Sequence, residues 1–161
     1  MTEPTRLICL TPTRNEAWII DKFLAAASHW ADHIIVADQR STDDTVERIR
    51  RVARAQVIAN DSEDYNEAAR QRLLIAHGRR IAGKRIFLAL DADEALSPNA
   101  SASPEWKRLA SAEPGTILRF RWVNILPGFE RAWIPPNLIV CGFVDDGKEH
   151  AGSRIHSPRL P

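Results

Sequence analysis

Three carboxylates follow a short apolar run near the middle of this 161-residue chain. The run reads IFLAL over residues 86–90, and Asp91, Asp93 and Glu94 come directly after it. A continuous apolar run of this length indicates a strand that is buried on both faces. If the backbone stays extended beyond the strand, Asp91 and Asp93 point to the same side, with Cα atoms about 6–7 Å apart. Two carboxylates this close repel each other unless a cation lies between them.

The ligand chemistry of this acidic segment favours a hard cation. Carboxylates without a neighbouring thiolate or imidazole suit Mg²⁺ or Mn²⁺, and these ions usually share their coordination with substrate phosphates. Open α/β sheets bind ligands at the carboxyl ends of their strands. The segment therefore predicts a divalent-cation and diphosphate site, with Asp91 and Asp93 as metal ligands. The alternative interpretation of the same residues is an acidic turn that caps the next element.

Apolar strands and helical segments alternate over residues 1–96, and this alternation predicts a mostly parallel α/β sheet with helices on both faces. The predicted strands are residues 7–10, 34–37, 56–59 and 86–90, and the predicted helices are residues 17–30, 41–53 and 66–81. Polar segments follow the first, second and fourth strands, at residues 11–16, 38–43 and 91–94. Because parallel strands end along the same edge of a sheet, we expect these three segments to line one crevice.

Composition limits the classes of protein that fit this chain. The length corresponds to a single domain, and a net charge of +1 gives no reason to expect a nucleic-acid partner. Cys9 and Cys141 lack metal-ligand spacing and fit buried thiols in a reducing, cytoplasmic compartment. No signal-peptide pattern and no apolar run long enough to span a bilayer is present. Two basic clusters, within residues 48–54 and 79–85, fit either the inner face of a membrane or solvated helix faces.

Three motifs together resemble a known family. They are TPTRNE at residues 11–16, ADQRSTDDT at residues 37–45 and LALDADE at residues 88–94. In this order and at these intervals they resemble the nucleotide-binding half of a family 2 glycosyltransferase with a GT-A, Rossmann-like fold. The resemblance covers residues 7–96 and is closest to bacterial members that transfer sugars to lipopolysaccharide cores and other envelope glycans. Neither a GxGxxG nor a GxxxxGK[ST] loop is present, which argues against a dinucleotide dehydrogenase or a P-loop NTPase.

The resemblance implies a binding site for a nucleotide-sugar donor. Thr11, Thr13 and Glu16 would line the base and ribose pocket. Asp38 would contact the base, which is typically uracil in this family. Arg70, on the third predicted helix, falls where family members often have polar residues near the donor, although an amphipathic helix explains it equally well.

The same resemblance implies a role for each of two carboxylates in the acidic segment. Asp91 would face the ribose or the sugar of the donor, and Asp93 would ligate the divalent cation, Mn²⁺ or Mg²⁺. The family is further expected to invert the anomeric centre while it transfers the sugar to a glycan or lipid-linked acceptor. The metal would stabilise charge on the departing diphosphate.

Residues 97–161 are expected to form a partial acceptor-side segment of the same domain, whereas family members usually continue further, into an acceptor-binding half that supplies a catalytic base. An inverting transfer needs a base that removes the proton of the acceptor hydroxyl. The candidates are Asp145, Asp146 and Glu149 in the segment VDDGKEH, which is also a good sequence for an acidic turn. Other residues of this segment could contact the metal, a phosphate or the acceptor sugar. Each of them could equally have only a structural role in the fold. They are His150, His156, Trp106, Trp122, Phe129 and Trp133.

Three functions therefore remain open for the chain. The first is metal-dependent transfer of a sugar from a nucleotide-diphosphate donor, with a UDP-sugar as the expected donor. The second is a truncated, catalytically inactive module that binds the nucleotide. The third is a sugar nucleotidyltransferase, which is less well supported because the loop TPTRNEAW lacks the glycines of that class.

Overall fold

The computed structural model describes residues 4–152 and Arg159. Its strands are β1 (Thr5–Thr13), β2 (His33–Asp38), β3 (Ala55–Ala59), β4 (Lys84–Ala89), β5 (Ile117–Arg121), β6 (Asn124–Ile125), β7 (Ala132–Trp133) and β8 (Leu138–Val144). Its α-helices are α1 (Ile20–Ser28), α2 (Thr45–Arg50), α3 (Glu67–Gly78) and α4 (Pro104–Arg108), and 3₁₀ turns span Ala100–Ala102 and Leu109–Ser111. Within this described part of the chain, no helix combines the length and the apolar character needed to cross a bilayer.

Six strands form one mixed sheet in the order β3-β2-β1-β4-β8-β5. The first four are parallel, whereas β8 runs antiparallel to both β4 and β5. β6 and β7 form a separate two-stranded hairpin. The predicted α/β class with a mostly parallel sheet is confirmed, and residues beyond 96 contribute strands to the same sheet as the first half.

Helices cover both faces of the sheet, as predicted. On one face, α1 and α2 pack against Cys9, Ile34 and Val36. On the other face, Leu74 and Ile75 of α3 pack in a cluster with strand side chains from β1, β2 and β4. Successive residues of a strand point to opposite faces, so the two apolar layers are interleaved along each strand.

Several elements differ from their predicted limits, α2 and α3 being shorter than predicted, and two of the differences concern the carboxyl edge of the sheet. β1 continues through Thr13, so Thr11 and Thr13 belong to the strand and not to the loop. α1 starts at Ile20 and not at residue 17, because residues 17–19 form a turn. The N–H groups of Glu16 and Ala17, just before it, donate to the side chains of Thr45 and Asp43. Ser103 caps α4 by accepting a hydrogen bond from the Trp106 N–H at 3.1 Å.

An arginine–carboxylate clamp holds the opposite, amino edge of β4. The carboxylate of Asp145, whose side chain is 1% exposed, accepts hydrogen bonds from Arg79 Nη2 at 2.8 Å and from Arg85 Nε at 2.9 Å. The backbone N–H of Asp145 also donates to the Arg85 carbonyl at 2.9 Å. The clamp therefore joins the end of α3, the start of β4 and the end of β8.

The contact between β4 and β8 leaves no room for a side chain at Gly142. A Cβ atom added there would lie 2.3 Å from the carbonyl oxygen of Phe87, a backbone atom that cannot rotate away. The Gly142→Ala variant should therefore lose about 2 kcal/mol or more in the free energy of unfolding, measured by urea denaturation. Gly147→Ala, where a Cβ meets nothing within 4 Å, should lose less, only the cost of its left-handed backbone. Equal losses would contradict the steric explanation.

The clamp makes the stability of the fold depend on Asp145. Burial raises the pKa of this carboxyl, but the hydrogen bonds from Arg79 and Arg85 outweigh it and hold the pKa below its usual value. Asp145→Asn should lower the free energy of unfolding by about 2–4 kcal/mol at neutral pH, because it leaves two arginines without their counter-ion.

The effect of Asp145→Asn should depend on pH in one direction. Because the folded pKa lies below the unfolded value, the contribution is complete above about pH 4 and disappears as the pH falls through the folded pKa. Asp146→Asn is the matched control, since Asp146 pairs with Lys148, which is 78% exposed. A loss as large in Asp146→Asn, or no loss in Asp145→Asn, would contradict the role of the clamp.

Candidate functional site

The carboxyl ends of β1 and β2 bring three of the predicted donor-binding residues together. Thr13 and Asp38 are partners in the register of the two strands, and Thr13 Oγ1 donates a hydrogen bond to Asp38 Oδ1 at 3.0 Å. Thr11, Thr13 and Asp38 are 0%, 3% and 7% exposed. They lie on the face of the sheet that α1 and α2 cover, because they alternate with the side chains that point to α3.

Asp38 is held in one orientation by the loop that follows it. The Ser41 N–H donates to Asp38 Oδ2 at 3.0 Å, and Ser41 Oγ donates to Asp38 Oδ1 at 2.5 Å. With the bond from Thr13, Oδ1 accepts two hydrogen bonds and Oδ2 accepts one. A carboxylate has about four acceptor positions, so Oδ2 retains the capacity to accept one more N–H or O–H.

Hydrogen bonds join the loop after β1 to the loop after β2 and to the first residue of α2. The bonds run from Asn15 N to Ser41 Oγ (2.9 Å), from Thr42 N to Asn15 Oδ1 (2.8 Å), from Glu16 N to Thr45 Oγ1 (2.8 Å) and from Ala17 N to Asp43 Oδ2 (3.1 Å). Asn15 and Arg40 have φ angles of 57° and 56°. Left-handed backbone is uncommon outside glycine, and it concentrates at sites that the surrounding structure holds in place.

Sequence reasoning treated the run Ser41–Asp44 only as a helix start, and so it missed this organising role. The N-cap residue of α2, Asp44, makes no side-chain cap bond. The preceding residue, Asp43, caps the helix, because its Oδ1 accepts a hydrogen bond from the Thr45 N–H at 3.1 Å. The clue in the sequence was the length of the polar run, which exceeds what one helix start requires.

The acidic segment after β4 is a tight turn, which corrects the expectation of extended backbone. The Glu94 N–H donates to the Asp91 carbonyl at 3.0 Å, and the Asp91 N–H donates to Glu94 Oε2 at 2.9 Å. Ala92 points into the core and is 4% exposed. Asp93 is exposed, and the side chain of Asp91 is 48% exposed. The turn therefore directs two carboxylates outward and the third, Glu94, back onto its own backbone.

Electrostatic coupling links this turn to the loop after β1. Burial raises the pKa of Glu16, and the negative charges of Asp93, Asp43 and Asp91 raise it further. The indole Nε1 of Trp18 opposes this by donating to Glu16 Oε2 at 3.0 Å. The predicted residues Glu16, Asp91 and Asp93 therefore lie close enough for their charges to interact across the crevice.

The residues of the turn fit a hard divalent cation in their chemistry. Asp91 Oδ2 already holds a cationic group, the guanidinium of Arg159, at 2.8 Å, and Asp93 is an exposed oxygen donor beside it. Among the described residues, no three side chains of His, Cys, Asp or Glu are grouped in a way that could hold a metal. Mg²⁺-type sites are usually made by one or two carboxylates together with substrate phosphates and water, which this donor set matches.

Arg159 is the residue at this site that sequence reasoning missed. Its guanidinium bonds to Asp91 and to both oxygens of Glu94, and it lies 5.6 Å from the centroid of the Trp122 ring. Nothing in the sequence signals the pairing, because the partners are separated by 65 and 68 positions.

Arg70 lies in the first turn of α3, which begins near the same edge of the sheet. Its guanidinium is 5.3 Å from the centroid of the Tyr65 ring, and Tyr65 Oη donates to Glu67 Oε1 at 2.7 Å. Asn66 caps this helix by accepting from the Ala69 N–H at 2.9 Å. The predicted contact of Arg70 with a donor stays a prediction.

The three candidate bases do not join the other predicted residues. The Asp145 N–H bonds to the carbonyl of Arg85, and Arg85 precedes Asp91 by six residues of nearly extended chain, or about 20 Å. Asp145 is occupied by two arginines, Asp146 pairs with Lys148 at 2.7 Å, and Glu149 follows in the same segment. β8 is antiparallel, so its end lies at the edge of the sheet opposite the acidic turn, and the catalytic role of the three carboxylates stays a prediction. His150 is buried in this segment, and His156 lies outside the described residues.

The aromatic residues divide between the core and the surface. Trp106 packs edge-on against Trp30 with ring centroids 6.1 Å apart. It also lines a cavity of about 240 Å³ with Thr5, Leu7 and Asp32, at the amino edge of the sheet and away from the acidic turn. Phe129 and Trp133, on the β6–β7 hairpin, are 87% and 59% exposed.

Solved structures with this fold include glycosyltransferases. Two structures of glucosyl-3-phosphoglycerate synthase from Mycobacterium tuberculosis match with a TM-score of 0.51 and 20% identity over 70% of this chain. Both contain Mn²⁺ and UDP, one with glucosyl-3-phosphoglycerate and the other with phosphoglyceric acid. The match covers 42% and 41% of those chains, so this chain spans less than half of their length.

A third structure shares the fold more broadly. It is a 4-diphosphocytidyl-2C-methyl-D-erythritol synthase, with a TM-score of 0.52, 10% identity, and coverage of 90% of this chain and 73% of that one. At these identities, all three structures establish similarity of fold.

A family model decides the relationship. A search of curated protein sequences gives no significant match. The model for glycosyl transferase family 2 matches residues 9–133, which is most of the chain and includes every motif from Thr11 to Glu94. This chain therefore belongs to glycosyl transferase family 2.

Proposed function

We propose that this chain binds a UDP-sugar at the carboxyl edge of its sheet and takes part in metal-dependent, inverting transfer of the sugar to a glycan or lipid-linked acceptor. The observation that carries the proposal is the convergence of the Thr13–Asp38 pair and the acidic turn at Asp91 on one sheet edge. Family membership supports sugar transfer in general, and the UDP and Mn²⁺ of the synthase structures support the choice of nucleotide and metal.

In this proposal, the base of the nucleotide lies against the ends of β1 and β2. The remaining acceptor position of Asp38 Oδ2 takes an N–H of uracil, and Ser41 and Thr13 keep the carboxylate aligned for it. Thr11 and Glu16 complete the wall of the pocket beside the ribose. Arg70 stands at the start of α3, where its charge attracts the anionic donor.

Asp93 is the proposed direct ligand of the divalent cation, and Asp91 faces the ribose or sugar and supplies the second carboxylate. A bound Mn²⁺ or Mg²⁺ would act as a Lewis acid on the leaving diphosphate. The acidic turn has a low intrinsic affinity for the diphosphate itself, because Asp91, Asp93 and Glu16 repel an anion. The charge of the cation removes this repulsion, which is why we expect nucleotide binding to require metal.

We assign residues 1–96 to the donor-binding half and residues 97–161 to part of the acceptor side. Asp145, Asp146 and Glu149 are left out of the transfer step because they lie at the opposite edge of the sheet. We keep a cytoplasmic location, as inferred from the two thiols. Much of the basic clusters is engaged within the fold, since Arg48, Arg54, Arg79 and Arg85 all bond to neighbouring residues, and this favours solvated faces over a membrane contact.

A nucleotide-binding module without transferase activity is the second candidate. One observation favours it: the candidate base Asp145 lies at the edge of the sheet opposite the acidic turn. The fold shared with the diphosphocytidyl synthase is also compatible with a nucleotidyltransferase, but the loop after β1 lacks glycine. Hydrolysis of a UDP-sugar would identify a transferase, and pyrophosphate release from UTP and a sugar phosphate would identify a nucleotidyltransferase.

The donor site can be tested by calorimetric titration of UDP in Mn²⁺ and in EDTA, with GDP as the nucleotide control. UDP should bind in Mn²⁺ and lose most of its affinity in EDTA. Asp93→Ala should weaken binding in Mn²⁺ by at least about tenfold, because even residues that only orient a metal ligand cost this much when they are removed. Asp61→Ala, which removes an exposed carboxylate after β3, should bind like the wild type. If UDP affinity is the same in Mn²⁺, in EDTA and in Asp93→Ala, the acidic turn has a purely structural role.

A second titration tests the base pocket separately from the metal. Ser41→Ala removes one donor to Asp38 and one acceptor for the Asn15 N–H, so it should loosen both loops at once. We expect UDP affinity to fall by about fivefold to tenfold, corresponding to one to two hydrogen bonds. Ser62→Ala, in the exposed loop after β3, is the control. Unchanged UDP binding in Ser41→Ala would show that the loops do not form the nucleotide pocket.

A further inference from the structure

We propose that Arg159 is a built-in counter-ion of the acidic turn that competes with a divalent cation for Asp91 and so weakens the binding of free metal. This inference rests on the proposed metal-dependent function and concerns how metal binding at the same site is regulated. It concerns a residue far from the turn in sequence, which none of the motifs includes.

The guanidinium makes a fork of contacts to the turn. Nη2 lies 2.8 Å from Asp91 Oδ2 and 2.9 Å from Glu94 Oε1, and Nη1 lies 2.6 Å from Glu94 Oε2. Nη1 also donates to the carbonyl of Ala89 at 3.2 Å. The planar group thus bonds two carboxylates and the end of β4, a geometry that arginine provides and lysine does not.

Partial burial strengthens these contacts. The side chain of Arg159 is 25% exposed and that of Glu94 is 14% exposed, whereas Asp91 is 48% exposed. One face of the guanidinium lies over the Trp122 ring, 5.6 Å from its centroid, which is within the range of a cation–π contact. Arg159 is therefore anchored mainly by Glu94 and Trp122, and its bond to Asp91 is the contact most open to solvent.

A divalent cation and Arg159 cannot use Asp91 independently. Asp91 Oδ2 accepts a hydrogen bond from the guanidinium, so a metal that coordinates Asp91 must share this carboxylate with Arg159 or displace one bond of the fork. The positive charge of Arg159 also repels a metal held by Asp93 nearby. Because Glu94 and the Ala89 carbonyl hold the guanidinium at three other contacts, Arg159 stays at the site after it releases Asp91.

The test measures binding of Mn²⁺ alone by calorimetry, so it needs neither donor nor acceptor. Arg159→Gln should bind Mn²⁺ about tenfold more tightly than the wild type, since it removes the positive charge that contacts Asp91 in a partly solvent-exposed site. Arg159→Lys, which keeps the charge but not the fork of contacts, should gain less Mn²⁺ affinity than Arg159→Gln. Arg119→Gln removes an exposed positive charge from β5 and should leave Mn²⁺ affinity unchanged. Adding Asp93→Ala to Arg159→Gln should abolish the gain and so place it at the acidic turn.

A double variant guards against loss of the fold. Arg159→Gln leaves Glu94 without its partner, whereas Arg159→Gln with Glu94→Gln removes the pair together, which proteins tolerate better. Thermal melts monitored by circular dichroism show which variants are folded, and the double variant should also bind Mn²⁺ more tightly than the wild type.

The outcomes separate this inference from the proposed function. Equal or weaker Mn²⁺ binding in folded Arg159→Gln, with Asp93-dependent binding in the wild type, would overturn the competition and leave the metal site standing. Binding by Arg159→Gln when the wild type binds none would support the competition in its strongest form. No binding by either protein would overturn the competition and the metal site together.

Discussion

The parallel pairing of β1 with both β2 and β4 is the constraint on which the rest of the site depends. Main-chain hydrogen bonds fix Thr13 opposite Asp38 and Leu10 opposite Ala89. A shift of one residue would turn Thr13 and Asp38 away from each other, because side chains alternate between the faces of a strand. The buried apolar side chains on both faces prevent such a shift. The register that packs the core therefore also sets the positions of the polar groups at the sheet edge.

The loops at this edge add a second layer of order. The run Ser41–Thr45 provides side-chain acceptors for the backbone of the loop after β1 and side-chain donors to Asp38. Short polar side chains suit this work, since Ser, Thr and Asp readily bond to nearby backbone groups. A loop tied in this way loses little further entropy when a ligand binds. This preorganisation fits the nucleotide site that we propose.

Arginine and carboxylate groups meet at both edges of the sheet, with different consequences. At the amino edge, Asp145 is fully enclosed by Arg79 and Arg85, so its charge is satisfied and unavailable. At the carboxyl edge, Arg159 leaves Asp91 about half exposed. The difference in exposure separates a structural clamp from a contact that a stronger cation can replace. Chemically similar residues thus serve stability at one edge and are open to ligands at the other.

The amino-acid sequence by itself determined the α/β class, the alternation of strands and helices, and the motifs by which this chain joins its family. These properties depend on local patterns, such as the apolar run before Asp91 and the polar run after Asp38. Only the tertiary structure decided three features of the site. They are the tight turn at Asp91–Glu94, the hydrogen bonds between the loops after β1 and β2, and the position of Arg159. The tertiary structure also decided the direction of β8, which places Asp145 at the edge of the sheet opposite the acidic turn. The reason is that these features depend on contacts between residues far apart in the chain, and strand direction and loop pairing leave little trace in local composition.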